Sequence, residues 1–301
     1  MRVFVTGASG HIASAVIPEL LAGGHEVLGL ARSDSSAESV AALGADVRRG
    51  DLDDLDGLRE AAASSDGVIH LAFKHEALLT GDFLSAVASD MEATRAMGET
   101  LAGTDKPFVA TGGTLMLAMG GTSGRAGTED DRIAGGPRAD AANYVTGLAE
   151  RGVRSSVVRL APLVHSDLDR HGFTTALIGF AREHGSAAYV GDGANRWPAA
   201  HTRDVGALYR LALEQAPAGS TLHGVGDEGI PFREIAETIA AGLGVGTRSV
   251  TAEEAAEALG FLAGLASLDN PTSNARTREL LGWEPTHPGW VQDVRSGHYL
   301  A

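Results

Sequence analysis

The run MRVFVTGASGHIAS, residues 1–14, constrains this chain more than any other stretch. Arg2-Val3-Phe4-Val5 is short, apolar and partly β-branched, the pattern of a buried strand. It breaks at Thr6-Gly7, and Ile12, Ala15, Val16 and Leu20 then recur at helical spacing, so a helix follows at once. A strand that turns through glycines into a helix aims free backbone N–H groups, and the positive end of the helix dipole, at one spot. That spot suits a phosphate. Gly7 permits the tight turn and Gly10 admits a pyrophosphate to the backbone. Ala13 stands where the dinucleotide fingerprint carries Gly or Ala. The expectation is dinucleotide binding, with an ordinary glycine-rich turn as the alternative.

The second strand, residues 24–31, closes on Arg32-Ser33-Asp34. A carboxylate at this position accepts hydrogen bonds from the adenosine ribose of NAD, whereas an arginine pairs with the 2′-phosphate of NADP. Arg32, with Ser33 beside it, therefore favours NADP. Asp34 keeps NAD open if the strand ends later.

Strands then alternate with helical patterns. Helix 38–43, strand 45–49, helix 55–63, the continuously apolar strand 67–72, helix 83–101 and strand 106–110 follow in turn. A Gly-rich loop at 120–137, a helix near 138–151 and strand 155–160 complete the series. Such alternation implies a parallel sheet with helices on both faces: an α/β, Rossmann-type doubly wound fold. We place the dinucleotide-binding core at 1–165 and a smaller C-terminal substrate lobe at 166–301, with about 204–225 returning to the core. In the lobe, 173–182 reads as a helix and 187–190 as a strand. Residues 191–198, with Asn195, Arg196 and Trp197, read as a polar turn, Asp204 as the cap of helix 205–214, and 221–225 as a strand. Helices are expected at 232–243, 252–259 and 277–281, the last ended by Gly282.

Composition excludes several classes. A chain of 301 residues with 44% hydrophobic and 21% charged residues buries a sizeable core. A net charge of −15 leaves no basic stripe for nucleic acid. With no cysteine there is no disulfide, thiolate nucleophile or cysteine metal site. No apolar run approaches the roughly 20 residues that span a bilayer, and no signal peptide precedes the first strand. The chain is expected to be cytoplasmic, acting on a small-molecule substrate with no nucleic-acid or membrane partner. No metal-ligand spacing is found; His171 and His184 are scattered.

The chain resembles the extended and atypical short-chain dehydrogenase/reductases. The matching pieces are TGASGHIA, GDLDD after the third strand, VIHLA, TGGT, VVRLAPLVH, GDGANRWPAAHTRD and RELLGWEP, in the family's order and over the whole length. The resemblance implies that Gly7, Ser9, Gly10, His11 and Ile12 surround the pyrophosphate and Arg32 the adenosine phosphate. It implies that Asp51 and Leu52 flank the adenine, that Leu71, Ala72 and Phe73 line the middle of the cofactor, and that Thr111, Pro162, Leu163 and Val164 sit around the nicotinamide. A homodimer through two core helices is expected by analogy.

Typical members pair a Ser or Thr with a Tyr-xxx-Lys. Here the four tyrosines are Tyr144, Tyr189, Tyr209 and Tyr299, and none is followed by that Lys; after Tyr144 the position is Leu148. Counting back from Arg159 by the family's spacing puts Ala134 where the Tyr stands and Arg138 where the Lys stands. Arg138 is a permanent cation that steadies the nicotinamide ribose or polarises a substrate oxygen, but donates protons poorly. Thr114, with Thr111 competing, is the Ser equivalent. Lys74, His75 and His165, just past strand ends, are candidate proton donors, and Tyr144 stays a candidate if the loop aligns differently. The expected function is NADP(H)-dependent reduction of a small carbonyl, imine or activated alkene. An epimerase or dehydratase of a sugar-like substrate and a non-catalytic NADP-binding sensor are the alternatives.

Overall fold

The computed structural model describes residues 1–74, 82–122 and 124–300. Seven strands form a fully parallel sheet: β1 (Arg2–Thr6), β2 (Glu26–Ala31), β3 (Asp46–Arg49), β4 (Gly67–His70), β5 (Pro107–Gly113), β6 (Arg154–Leu160) and β10 (Ser220–Gly224). Their order is β10-β6-β5-β4-β1-β2-β3, so the winding reverses between β1 and β4. Open α/β sheets bind ligands at that reversal, outside the carboxyl ends of the strands.

The two-residue period of β1 builds two cores. Val3 and Val5 face helices Ala13–Ala22 and Thr202–Gln215, while Phe4 faces helices Leu55–Ala63, Phe83–Leu101 and Ala139–Gly147. Helix Thr202–Gln215 and β10 thus come back from the second half to complete the sheet and its cover. The contact needs a glycine: a Cβ on Gly206 would stand 2.9 Å from the carbonyl oxygen of Ala15 in the facing helix.

The rest of the second half has its own core around Trp197, Phe232 and Trp290. It holds a three-stranded sheet of β7 (Leu163–His165), β9 (Arg196–His201) and β11 (Asp227–Pro231), and a pair of β8 (Ser186–Val190) with β12 (Gly246–Val250). The expected turn at 191–198 is cut short: Arg196, Trp197 and Pro198 open β9, where Trp197 is fully buried. Asp204 does not cap its helix either. His201 is the cap, accepting from Arg203 N–H at 3.2 Å. Asp204 takes the N–H groups of Thr286 (3.0 Å) and His287 (3.1 Å), and so anchors the C-terminal segment. The Gly-rich loop is clamped by distant residues. Gly127 N–H donates to Pro271, Ser273 N–H donates to Gly127, and Glu129 accepts from Thr277 N–H at 2.8 Å.

His223, on β10, is fully buried, its Nδ1 donating to the Ser273 carbonyl at 2.8 Å. Burial lowers its pKa from 6.5 to about 4, against the opposing pull of Glu129. The unfolded chain therefore binds a proton that the folded chain refuses. Stability should fall as pH drops from about 6.5 towards 4, and urea midpoints measured across that window should fall less steeply in His223→Asn. Gly206→Val should cost about 1–3 kcal/mol by the same assay, because the helices must part.

Candidate active site

The turn after β1 has the geometry of a diphosphate cradle. Gly7 sits at φ 66°, and Gly10 N–H donates to its carbonyl at 2.9 Å. Helix Ala13–Ala22 has no side-chain cap, and the N–H groups of Ser14, Ala15 and Val16 bond to the carbonyls of Gly10, His11 and Ile12, so a diphosphate would be met by the turn before the helix. Ser9 and Gly10 are exposed, His11 and Ile12 half-buried. A Cβ on Gly7 would lie 2.7 Å from Ala72 N, which means that the segment after β4 rests directly on the turn. Leu71, Ala72 and Phe73 are half-buried beside it; Asp51 is exposed and Leu52 buried past the end of β3. A dinucleotide fits this edge: a glycine turn entering a helix at the diphosphate position, and residues at four neighbouring strand ends along its length.

At the adenosine end, Arg32 is exposed at the end of β2. Ser33 is occupied as a helix cap in a reciprocal bond with Ser36. The carboxylate of Asp34 takes the Arg49 guanidinium at 2.8 Å. Arg49 stands opposite Ala31 in the β2–β3 register, so two arginines flank this corner. Arg49 was not singled out from the sequence, since only strand pairing brings it here.

At the other end of the crevice a polar chain crosses β1, β4 and β5. His70 Nδ1 bonds Thr6 Oγ1 at 2.6 Å, and its Nε2 bonds the buried carboxylate of Asp90 at 3.2 Å. Asp90 also accepts from Arg138 at 3.4 Å, and the Arg138 guanidinium lies 4.0 Å from the centroid of the Phe73 ring. Arg138 adopts φ 67° without being glycine. Thr111 donates to the His70 carbonyl at 2.8 Å, so the Tyr209 hydroxyl, 2.7 Å away, donates to Thr111. Burial pushes the Tyr209 phenol well up, which keeps it protonated. The sequence gives no signal for His70 and Asp90, which lie within an apolar strand and a helix, and sets Tyr209 aside because no Lys follows it.

The remaining candidates lie elsewhere. Tyr144 packs on Gly98, and its hydroxyl accepts from Arg151 at 3.5 Å, just before β6 begins. That is the amino edge of the sheet, opposite the crevice. Thr114 is fully buried and its hydroxyl accepts from Asn270 at 3.0 Å, so it ties β5 to the C-terminal segment. Leu163 is fully buried in the lobe core; Val164 is buried and Pro162 half-buried. His165 is fully buried in a separate cluster between core and lobe, its Nδ1 2.7 Å from Asp293. Lys74 is held by Asp53 at 2.6 Å. His75 lies outside the described residues. The structure thus gathers Arg138, Phe73 and Thr111 at the crevice and leaves Thr114, Tyr144 and His165 away from it.

Known proteins match this architecture. Residues 3–104 match the NAD dependent epimerase/dehydratase family. An uncharacterized protein of Schizosaccharomyces pombe is 43% identical over 100% of both chains. Among solved structures, the dTDP-glucose 4,6-dehydratase DesIV of Streptomyces venezuelae, determined with NAD and TYD, superposes at a TM-score of 0.78 with 18% identity, covering 100% of this chain and 96% of that one. The UDP-glucose 4-epimerase of Thermus thermophilus, a complex with NAD, gives 0.77 with 19% identity over 99% of each. Among the described residues, no helix is long and apolar enough to cross a membrane. The glycine turn, the strand order and these likenesses together identify the chain as a member of the extended and atypical short-chain dehydrogenase/reductase superfamily and an NAD(P)-dependent enzyme of that type.

Proposed function

We propose that the protein binds NADP in preference to NAD along the crevice edge and exchanges hydride with an oxygen-bearing carbon of a small substrate beside Arg138. The observation that carries this reading is Arg138 itself. A non-glycine residue at φ 67°, stacked on Phe73 and tied to a buried carboxylate, is held in a costly conformation by its surroundings. Strain of this kind collects where a side chain must be aimed at a ligand. The guanidinium is always charged, so it stabilises an alkoxide or carbonyl oxygen as charge develops there. It does not deliver a proton at neutral pH; the proton on that oxygen comes from, or leaves to, water or the substrate. Tyr209 stays a donor to Thr111 and is no base. A bound nicotinamide supplies or accepts the hydride, while the chain binds, orients and polarises.

Two reactions share this step. In net reduction of a carbonyl, imine or activated alkene, NADPH is consumed. In an epimerase or dehydratase, the hydride returns within one turnover and no net consumption occurs. The match of residues 3–104 to the epimerase/dehydratase family favours the second, and the sugar-nucleotide enzymes among the structural neighbours agree with it. The same match supports an enzyme over a non-catalytic NADP sensor. The preference for NADP rests on Arg32 and Arg49 at the adenosine corner, and on Asp34 being engaged with Arg49.

Purified protein given NADPH or NADP+ with carbonyls, imines and sugar nucleotides separates these readings, if nicotinamide absorbance and product are followed together. Product without net cofactor change identifies the internal cycle; no product from any substrate removes the proposal. Arg138→Ala should lower kcat by about 10²–10³ while cofactor affinity holds within a few-fold. Arg138→Gly should lose the same activity yet gain stability, by about 1 kcal/mol, in thermal unfolding, because the strain is released. Arg32→Asp should weaken NADPH binding far more than NADH binding in calorimetry; equal losses would refute the cofactor preference.

A further inference from the structure

Between the lobe strands and the C-terminal segment lies a cavity of about 100 Å³ that the proposed reaction does not use. It is lined by His165, His201, Asp204, Asp227 and His287, among others. One ring nitrogen of His201, one of His287 and one carboxylate oxygen of Asp204 lie within 4.8 Å of one another. The imidazoles of His201 and His287 stack with centroids 4.5 Å apart, and His165 meets His201 edge-on at 5.4 Å.

His165 points independently to an occupant. Its side chain is fully buried, and its Nδ1 is 2.7 Å from Asp293 Oδ2, so Nδ1 is the donor and Nε2 carries the lone pair. That Nε2 is buried and, among the described residues, has no hydrogen-bond partner. A buried acceptor left bare costs about 1–3 kcal/mol unless something in the cavity meets it. His287 Nδ1 lies 2.7 Å from Asp204 Oδ1, and an ion shared by these two groups would take the place of the proton between them.

We propose that His201, Asp204 and His287 bind a divalent transition-metal ion, with zinc(II) the best fit, and that His165 Nε2 accepts a hydrogen bond from a water completing its coordination. Two imidazoles and a carboxylate with one position left to water make a common zinc set, and the same donors disfavour magnesium or calcium, which take oxygen ligands. The cavity exceeds the volume of about one water that such a ligand needs. The ion would join the first turn of helix Thr202–Gln215 to the segment around His287, beside the seam between core and lobe. Binding releases the long cap bond from Arg203 N–H to His201 Nδ1 if the ion takes that nitrogen, and leaves it in place otherwise.

The test is equilibrium dialysis of the metal-stripped protein against zinc(II) at neutral pH, with metal counted by mass spectrometry and melting temperature read in parallel. One tightly held equivalent and a raised melting temperature are expected. Cobalt(II) should give the intense visible bands of a four-coordinate site. His287→Ala is partly exposed and should fold, as circular dichroism will verify; it should lose affinity by about 10–100-fold. His165→Gln should lose less and should alter the cobalt spectrum. No bound equivalent in the wild-type protein, or an equivalent that His287→Ala retains at full affinity, overturns the proposal. Because the readouts are metal content and melting, they are independent of whether the hydride-transfer reading holds.

Discussion

The whole arrangement depends on one close approach. The chain leaving β4 lies against the glycine turn leaving β1, with Ala72 N only 2.7 Å from where a Cβ on Gly7 would be. No other residue type tolerates both that contact and the φ of 66° at Gly7. The approach brings the glycine turn and the start of the first helix beside Leu71, Ala72 and Phe73. Phe73 in turn carries Arg138, so the glycine turn and the proposed reacting end of the crevice are registered to each other through two adjacent strands. Thr6 reinforces the contact, since its Oγ1 accepts from Ala72 N–H at 3.3 Å and bonds His70 at 2.6 Å.

The sheet is largely legible in the sequence because its central strands are buried on both faces and read as apolar runs, whereas edge strand β3, Asp-Val-Arg-Arg, has no buried residue. Helices Leu55–Ala63, Phe83–Leu101 and Phe232–Leu243 match their expected spans to the residue. The strands that went unread are short or polar. DEGIP in β11 and GTRSV in β12 have turn-like or exposed compositions, and become strands only because β9 and β8 offer them backbone partners. Arg196–Pro198 was taken for a turn for the same reason.

The site was legible where it is local and illegible where it is not. The glycine turn lies within one strand–helix unit, so Gly7 and Gly10 are candidates from the residues alone, and the family resemblance adds Ser9, His11 and Ile12. Arg138 emerged by counting from Arg159, although nothing in the sequence showed that Asp90 and Phe73 would hold it. Thr114, Tyr144 and His165 looked reactive because of their residue type, but hydrogen bonds to Asn270, Arg151 and Asp293 bind them into the fold. Asp204 looked like a helix cap by position. The chain spends it on Thr286 and His287 instead, a partnership across some eighty residues that no spacing rule anticipates.

The clamp on the Gly-rich loop bears on how this protein is made. Glu129 waits for Thr277, which follows it by 148 residues. At ribosomal speeds of about 5–20 residues per second, that interval lasts about 7–30 seconds. Throughout it, the loop preceding Arg138 has left the exit tunnel without the neighbours that fix it. The geometry beside the crevice is therefore a late acquisition, completed only after the ribosome has released the last helices. A nascent chain that already owns its first four parallel strands does not yet own its reactive corner.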